Sequence, residues 1–374
     1  RHSHPALPAR ASGETLTLRV EDAAGRELVT YTPKPREERP VPPPATEPPL
    51  PKDIASTDEL FVTGLHLEQY RHATRGPEAY WREALRRDPG DSRCLNALGR
   101  WHLRRGEFAE AERYFRAAIA RLTLRNPNPY DGEPYYNLGV GLRYLGRDDE
   151  AYAAFYKAVW NHAWQAAGYH ALAEIDCLRG RWTAALDHLD RALRVNTDNL
   201  RARDLRALVL RRLGRDTEAG SVLRETLALD PHDWCARYLS GEKITCDAQV
   251  RLDLALDFAR AGFFDDALVV LADADPTTAN GTAPMIAYYR AWIAEQRGDR
   301  ASVKAHLRAA AKAPPDYCFP ARLEEIAILE FAISRNPKDA RAPYYLGNLL
   351  YDRRRHAEAI ACWEKAAAKD PRFP

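Results

Sequence analysis

The residues best placed to do chemistry lie in one short stretch: Trp160, His162, Trp164, Tyr169, His170 and Glu174. His170 and Glu174 are four apart and share one face of a helix. A carboxylate there can orient the imidazole and raise its pKa, which is what general acid–base work requires. A His–Glu pair at this spacing also serves as an ordinary surface pair on a helix. Trp160 and Trp164 fit a core or an interface as well as a ligand platform. Glu68 and His72 repeat the spacing around Tyr70, with the same two readings. Asp148-Asp149-Glu150 is read as a helix start, where negative charge complements the helix dipole, and not as a metal site.

Nothing else in the chain spells out a reaction. There is no phosphate loop, no HExxH, no GxSxG and no dinucleotide fingerprint. Cys94, Cys177, Cys235, Cys246, Cys318 and Cys362 have neither CxxC spacing nor a histidine at metal-ligand spacing. They read as packing residues with free thiols, so neither metal nor cofactor is expected, and a cytoplasmic setting is. A net charge of +2 with 29% charged residues argues against a dedicated nucleic-acid binder. The arginine runs Arg211-Arg212 and Arg353-Arg354-Arg355 sit near helix ends and are expected to be solvated. No apolar run reaches the length of a membrane span, so no membrane partner is expected. No secretory signal is visible at residue 1.

The elements that must position these residues are announced by six glycines: Gly106, Gly146, Gly180, Gly214, Gly262 and Gly298. Seven residues before them stand Gly99, Gly139, Ala173, Ala207, Ala255 and Ala291. Five after the first five stand Ala111, Ala151, Ala185, Ala219 and Ala267. Nine after all six stand Phe115, Phe155, Leu189, Leu223, Leu271 and Leu307. This phase predicts paired antiparallel helices with the glycine in a left-handed turn. The small residues mark where the helices cross, and the large one is expected to fill the groove to the next pair. Asp88-Pro89, Asp230-Pro231, Asn336-Pro337 and Asp370-Pro371 close several units, because proline cannot continue a helix. The phase is broken by Arg125–Glu133, by Trp160–Trp164, around Gly241–Cys246 and around Pro276–Pro284. One degenerate helix is expected in 311–337.

In these positions the chain resembles the tetratricopeptide repeat family: Leu98-Gly99, Ala111, Phe115, Ala118; Leu138-Gly139, Gly146, Ala151, Phe155, Ala158; Leu346-Gly347, Ala359, Trp363, Ala366, Pro371. The resemblance runs over roughly 58–371. It implies an all-α fold, a right-handed α-solenoid of about eight helix hairpins, with a binding surface on its concave face. First-helix positions around the small residue would project inward. Those are Asn96 and Arg100, Tyr136 and Val140, His170 and Glu174, Asp204 and Leu208, Tyr288 and Trp292, Tyr344 and Asn348. Apart from Val140 and Leu208, they form the candidate ligand-binding set together with Trp160, His162 and Trp164. Relatives that clamp a C-terminal carboxylate use Lys and Asn on adjacent units. This chain lacks that Lys, so that mode is not expected. An aromatic, amide and mixed-charge surface suits an extended peptide, a neighbouring domain or a sugar chain.

Ahead of the repeats, Thr15–Val20 and Arg26–Tyr31 alternate with period two around Asp22-Ala-Ala-Gly25 and read as a hairpin. Two strands alone are marginal, so an upstream β-domain is expected. Residues 1–32 are read as that hairpin, 33–52 as a proline-rich linker and 53–374 as the repeat domain. The linker is either a stiff spacer or a strap across the repeats. Arg1 as first residue and Met285 as the only methionine suggest a piece of a longer polypeptide, as does the missing polar cap after Pro371. Val62–His72 and Trp160–Asp176 resemble a bacterial family in which a mutarotase-like β-domain precedes such repeats. That resemblance implies a carbohydrate-related parent. Two functions follow: an interaction scaffold holding a peptide segment or its own upstream domain, or the accessory half of a carbohydrate-active enzyme.

Overall fold

The structure is a computed structural model that describes residues 16–34, 40–41, 44, 46–70, 72, 74–272 and 281–372. It divides into two units, residues 1–49 and 50–374. In the first, β1 (Leu18–Glu21) pairs antiparallel with β2 (Glu27–Tyr31), with Leu18 opposite Tyr31 and Val20 opposite Val29. The Asp22 carboxylate accepts from the backbone N–H of Ala24 and Arg26, and Gly25 takes φ +79°, which closes the turn. Both strands are exposed on both faces. The proline-rich stretch and the loop at Pro276–Pro284 lie partly outside the described residues.

The second unit is an all-α solenoid with eighteen helices among the described residues. Sixteen form eight hairpins: α1 (Thr57–Tyr70) with α2 (Pro77–Arg87), α3 (Ser92–Arg104) with α4 (Phe108–Leu122), α5 (Glu133–Tyr144) with α6 (Asp148–Ala158), and α7 (Gln165–Leu178) with α8 (Trp182–Val195). Then come α9 (Leu200–Arg212) with α10 (Asp216–Leu229), the short α11 (Trp234–Leu239), and α12 (Ala248–Arg260) with α13 (Phe264–Ala272). The chain ends with α14 (Ala283–Gln296) and α15 (Arg300–Ala310), the single α16 (Glu324–Arg335), and α17 (Arg341–Asp352) with α18 (His356–Lys369).

One turn is repeated throughout. Gly106 has φ +73°, its N–H bonds the Leu103 carbonyl, and the next N–H, of Glu107, reaches back to the His102 carbonyl. This is a Schellman motif, and it satisfies carbonyls that the helix end leaves open. It recurs at Gly146, Gly180, Gly214, Gly262 and Gly298. In the last hairpin Arg354 occupies the position with φ +60°. The interrupted region is half a repeat: α11 ends in the same motif at Gly241, but no second helix follows. The buried Arg251 guanidinium closes that segment, donating to the carbonyls of Ile244, Cys246 and Val270. Trp160–Trp164 turns through a 3-10 segment capped by Asn161.

The large residue nine after the turn packs back on its own hairpin, which corrects the expectation that it fills only the groove to the next. A Cβ on Gly99 would lie 2.4 Å from the Phe115 ring, and one on Gly139 would lie 2.6 Å from Phe155. Gly347 and Trp363 make the same pair, and so do Gly64 and Trp81 in the first hairpin, where no phased glycine signals it. Phe115 and Phe155 also join one buried cluster with Leu138, Leu142 and Leu172, so each ring seals two hairpins.

The solenoid winds until distant units touch. Arg355 donates to the Arg105 and Gly106 carbonyls, and Arg105 to the Arg354 carbonyl. A Cβ on Gly106 would meet Ile326 Cδ1 at 2.4 Å. Arg143 donates to the Arg260 carbonyl, joining α5 to α12. The Arg353–Arg355 run therefore ties the last hairpin to the second and is not simply solvated.

Ala151 and Ala185 are fully buried at helix crossings. Ala151→Leu or Ala185→Leu is expected to cost roughly 1–3 kcal/mol through overpacking, read from the midpoint of chemical denaturation. Unchanged midpoints would show that the crossings lie elsewhere.

Candidate functional site on the inner face

The winding turns the first helices inward around a cleft of about 390 Å3. From α5 come Tyr136, Val140, Arg143 and Tyr144; from α7, His170 and Glu174; from α9, Arg201; from α12, Arg260; and from α16, Glu324. These are i, i+4 and i+7 or i+8 rows, which place side chains along one helical stripe. A narrower recess of about 40 Å3 continues from His170, Glu174 and Arg201 to Asp204, Asp257 and Cys235, with Leu205, Leu208 and Phe258 as apolar walls.

Charges in the cleft are paired unevenly. Arg260 holds Asp257 at 2.5 Å and also pairs with Glu324, which in turn accepts from the Tyr144 hydroxyl at 3.3 Å. Arg201 approaches Asp257 at 3.3 Å. Glu174 is held loosely, with Arg143 at 3.6 Å and His170 at 4.0 Å. Asp204 is buried, and its Oδ1 has no hydrogen-bond partner among the described residues. Burial first, and Asp233 second, push the Asp204 carboxyl up to about 9. Burial also raises Asp257.

The sequence-derived set is only partly assembled. Tyr136, His170, Glu174 and Asp204 converge, and Trp164 stacks on Tyr136 with ring centroids 4.9 Å apart. Trp160 and His162 are exposed on the turn, with the Lys157 ammonium 4.0 Å from the Trp160 ring centroid. Asn96 is buried and accepts from Asn137, while Arg100 bridges Glu68 and Glu133. Tyr288 is a correction: it is fully buried and donates to Asp339 at 2.8 Å, because the following hairpin covers that face. Trp292 and Tyr344 are half-buried against the core, and Asn348 accepts from Trp363 Nε1. Arg143, Tyr144 and Arg201 were missed, though rows three or four residues along from Val140 and Asp204 would have reached them. Asp257, Arg260 and Glu324 were missed as well: Arg260 stands five after Ala255, as Tyr144 stands five after Gly139, whereas Glu324 lies in the degenerate helix of 311–337, where no phased residue marks it.

A separate polar group lies between α7 and α8, where His188 sits between Asp176 at 2.8 Å and the Tyr156 hydroxyl at 2.8 Å. It engages both ring nitrogens of His188 and Oδ2 of Asp176, while the buried Asp176 Oδ1 has no hydrogen-bond partner among the described residues. Among the described residues no group of His, Cys, Asp or Glu is placed to hold a metal, and no helix is long and apolar enough to cross a membrane.

Three segments match tetratricopeptide repeat family models: 92–123, 179–233 and 340–373. The chain thus carries tetratricopeptide repeats on an α-solenoid. Similar solved structures include YrrB, a tetratricopeptide repeat protein with an unusual peptide-binding site, at 15% identity over 50% of this chain and 92% of that one, TM-score 0.41. A tetratricopeptide repeat protein from Parabacteroides merdae is 15% identical over 70% of this chain and 94% of that one, TM-score 0.44. PilW, a type IV pilus biogenesis factor, is 20% identical over 49% of this chain and 83% of that one, TM-score 0.41.

Asp204 sets a pH dependence. Its folded pKa of about 9 stands above the ordinary 3.8, so its contribution to stability is fully present below pH 3.8 and is lost as pH rises through about 9. Asp204→Asn is expected to raise stability at pH 7 by roughly 1–3 kcal/mol and to flatten the decline between those pH values. Calorimetric melts across this range check it, and identical slopes would contradict it.

Proposed function

We propose that the protein is an interaction scaffold whose inner cleft holds an extended protein segment. The convergence of Tyr136, Tyr144 and His170 with four ion-paired side chains, Arg143, Glu174, Arg260 and Glu324, supports this reading most. Aromatic bodies supply contact area at low entropic cost, and incompletely used charges supply direction. The segment would come from another protein or from an upstream β-domain of the same polypeptide. The apolar residues Leu18, Val20, Leu28 and Val29, exposed on the β-hairpin, agree with a β partner. Six unpaired thiols fit a reducing, cytoplasmic setting.

The alternative reading is an accessory role to a carbohydrate-active domain of the mutarotase-like kind, with His170 and Glu174 lent to its cleft. The scatter of Trp160 and His162 away from His170 weighs against it. No cofactor enters either reading.

Peptide arrays read by fluorescence anisotropy test the proposal. Tyr136→Ala and Glu174→Ala are expected to weaken the best peptide roughly tenfold or more, the scale of interface hot spots. Trp160→Ala should leave its affinity unchanged. Failure of the intact chain to bind any peptide would overturn the reading.

A further inference from the structure

We propose that the recess at Asp204 is a subsite for a primary ammonium group, the end of a lysine side chain in the segment held on the inner face; this rests on the peptide reading above.

Three carboxylates border the recess, but they are not equivalent. Asp257 is committed to Arg260 and Arg201. Among the described residues Glu174 has only the long pairs to Arg143 and His170. Asp204 stands at the recess 5% exposed; its carboxyl meets Asp233 and the Cys235 thiol, while its Oδ1 is buried with no hydrogen-bond partner among the described residues. A buried polar atom left without a partner costs free energy that a donor supplied by a ligand would recover. An ammonium brings three donors and no acceptor, which matches Asp204 Oδ1 and the spare capacity of Glu174. The space, about 40 Å3, suits a compact head group better than a planar guanidinium fork. Leu205, Leu208 and Phe258 offer the apolar walls that a tetramethylene stem lies against. An anion in the same place would face Asp204, Glu174 and Asp257 together.

Entry of the cation has a consequence for protons. The groups facing Asp204 are His170, Glu174, Arg201, Asp233, Cys235 and Asp257. Burial raises the Cys235 thiol and keeps it neutral. Near pH 7 the Asp204 carboxyl is protonated, because its pKa is about 9. A positive charge beside it favours the ionised form, so binding releases a proton from Asp204.

The test is calorimetric titration of the full chain with n-butylammonium chloride at neutral pH, in two buffers of different ionisation enthalpy, with 1-butanol as the neutral probe. The proposal predicts saturable binding of butylammonium at millimolar concentration, none of butanol, and proton release that persists in His170→Gln. Asp204→Asn should weaken binding at least tenfold and abolish the release, with its fold checked by circular dichroism. Equal binding by wild type and Asp204→Asn, equal binding of butanol, or no saturable binding would overturn the subsite. Peptides that bind equally with norleucine in place of lysine would also overturn it, leaving the peptide reading intact. Butylammonium bound through Asp204 in a chain that binds no peptide would uphold the subsite and remove the peptide.

Discussion

Two helices can cross closely only if the volumes facing each other at the crossing are matched, and this chain meets that condition in two ways. Where the first helix offers glycine, the second offers an aromatic ring: Gly99 with Phe115, Gly139 with Phe155, Gly347 with Trp363. Where the first helix offers alanine sixteen residues earlier, the second offers leucine, as with Ala173 and Leu189 or Ala207 and Leu223, all fully or nearly fully buried. Packing at crystal-like density leaves little room for a mismatch, so each pair sets the distance between its helices. The Schellman turn then fixes where the second helix begins. Repetition of these two devices produces the solenoid, and the solenoid places the inner face.

That face is not an open trough. Contacts between units far apart in sequence, through Arg143 to Arg260, Arg355 to Gly106 and Gly106 to Ile326, draw the superhelix together. The single helices α11 and α16 belong to the same economy. Each omits a partner helix, and Glu324 of α16 joins Arg260 of the paired helix α12 across the cleft from α5 and α7. The winding thus gives the concave surface a pocket whose charges are shared between distant helices.

Most of the fold was legible because its determinants are local and repeat. Turn glycines, small residues and the large residues after them are all visible within about one unit of sequence. Of the residues lining the cleft and its recess, Tyr136, His170, Glu174 and Asp204 were legible because they obey the same phase. Tyr288 occupies an equivalent position, yet Asp339 of the next hairpin covers it, which no spacing in its own unit reveals. Gly64 and Trp81 escaped notice because their turn lacks a phased glycine, although their packing follows the rule. Arg355 read as a solvated charge because the carbonyls it binds are some 249 residues away.

The matched crossing is tested most directly by a double-mutant cycle on Gly139 and Phe155. Gly139→Ala puts a Cβ where the ring now lies, and Phe155→Leu leaves the crossing underfilled. Each alone should lower the unfolding free energy by about 1–3 kcal/mol. Together they recreate the alanine–leucine pair used elsewhere in the chain, and the account predicts that the double variant regains most of the loss. Simple addition of the two losses would contradict it.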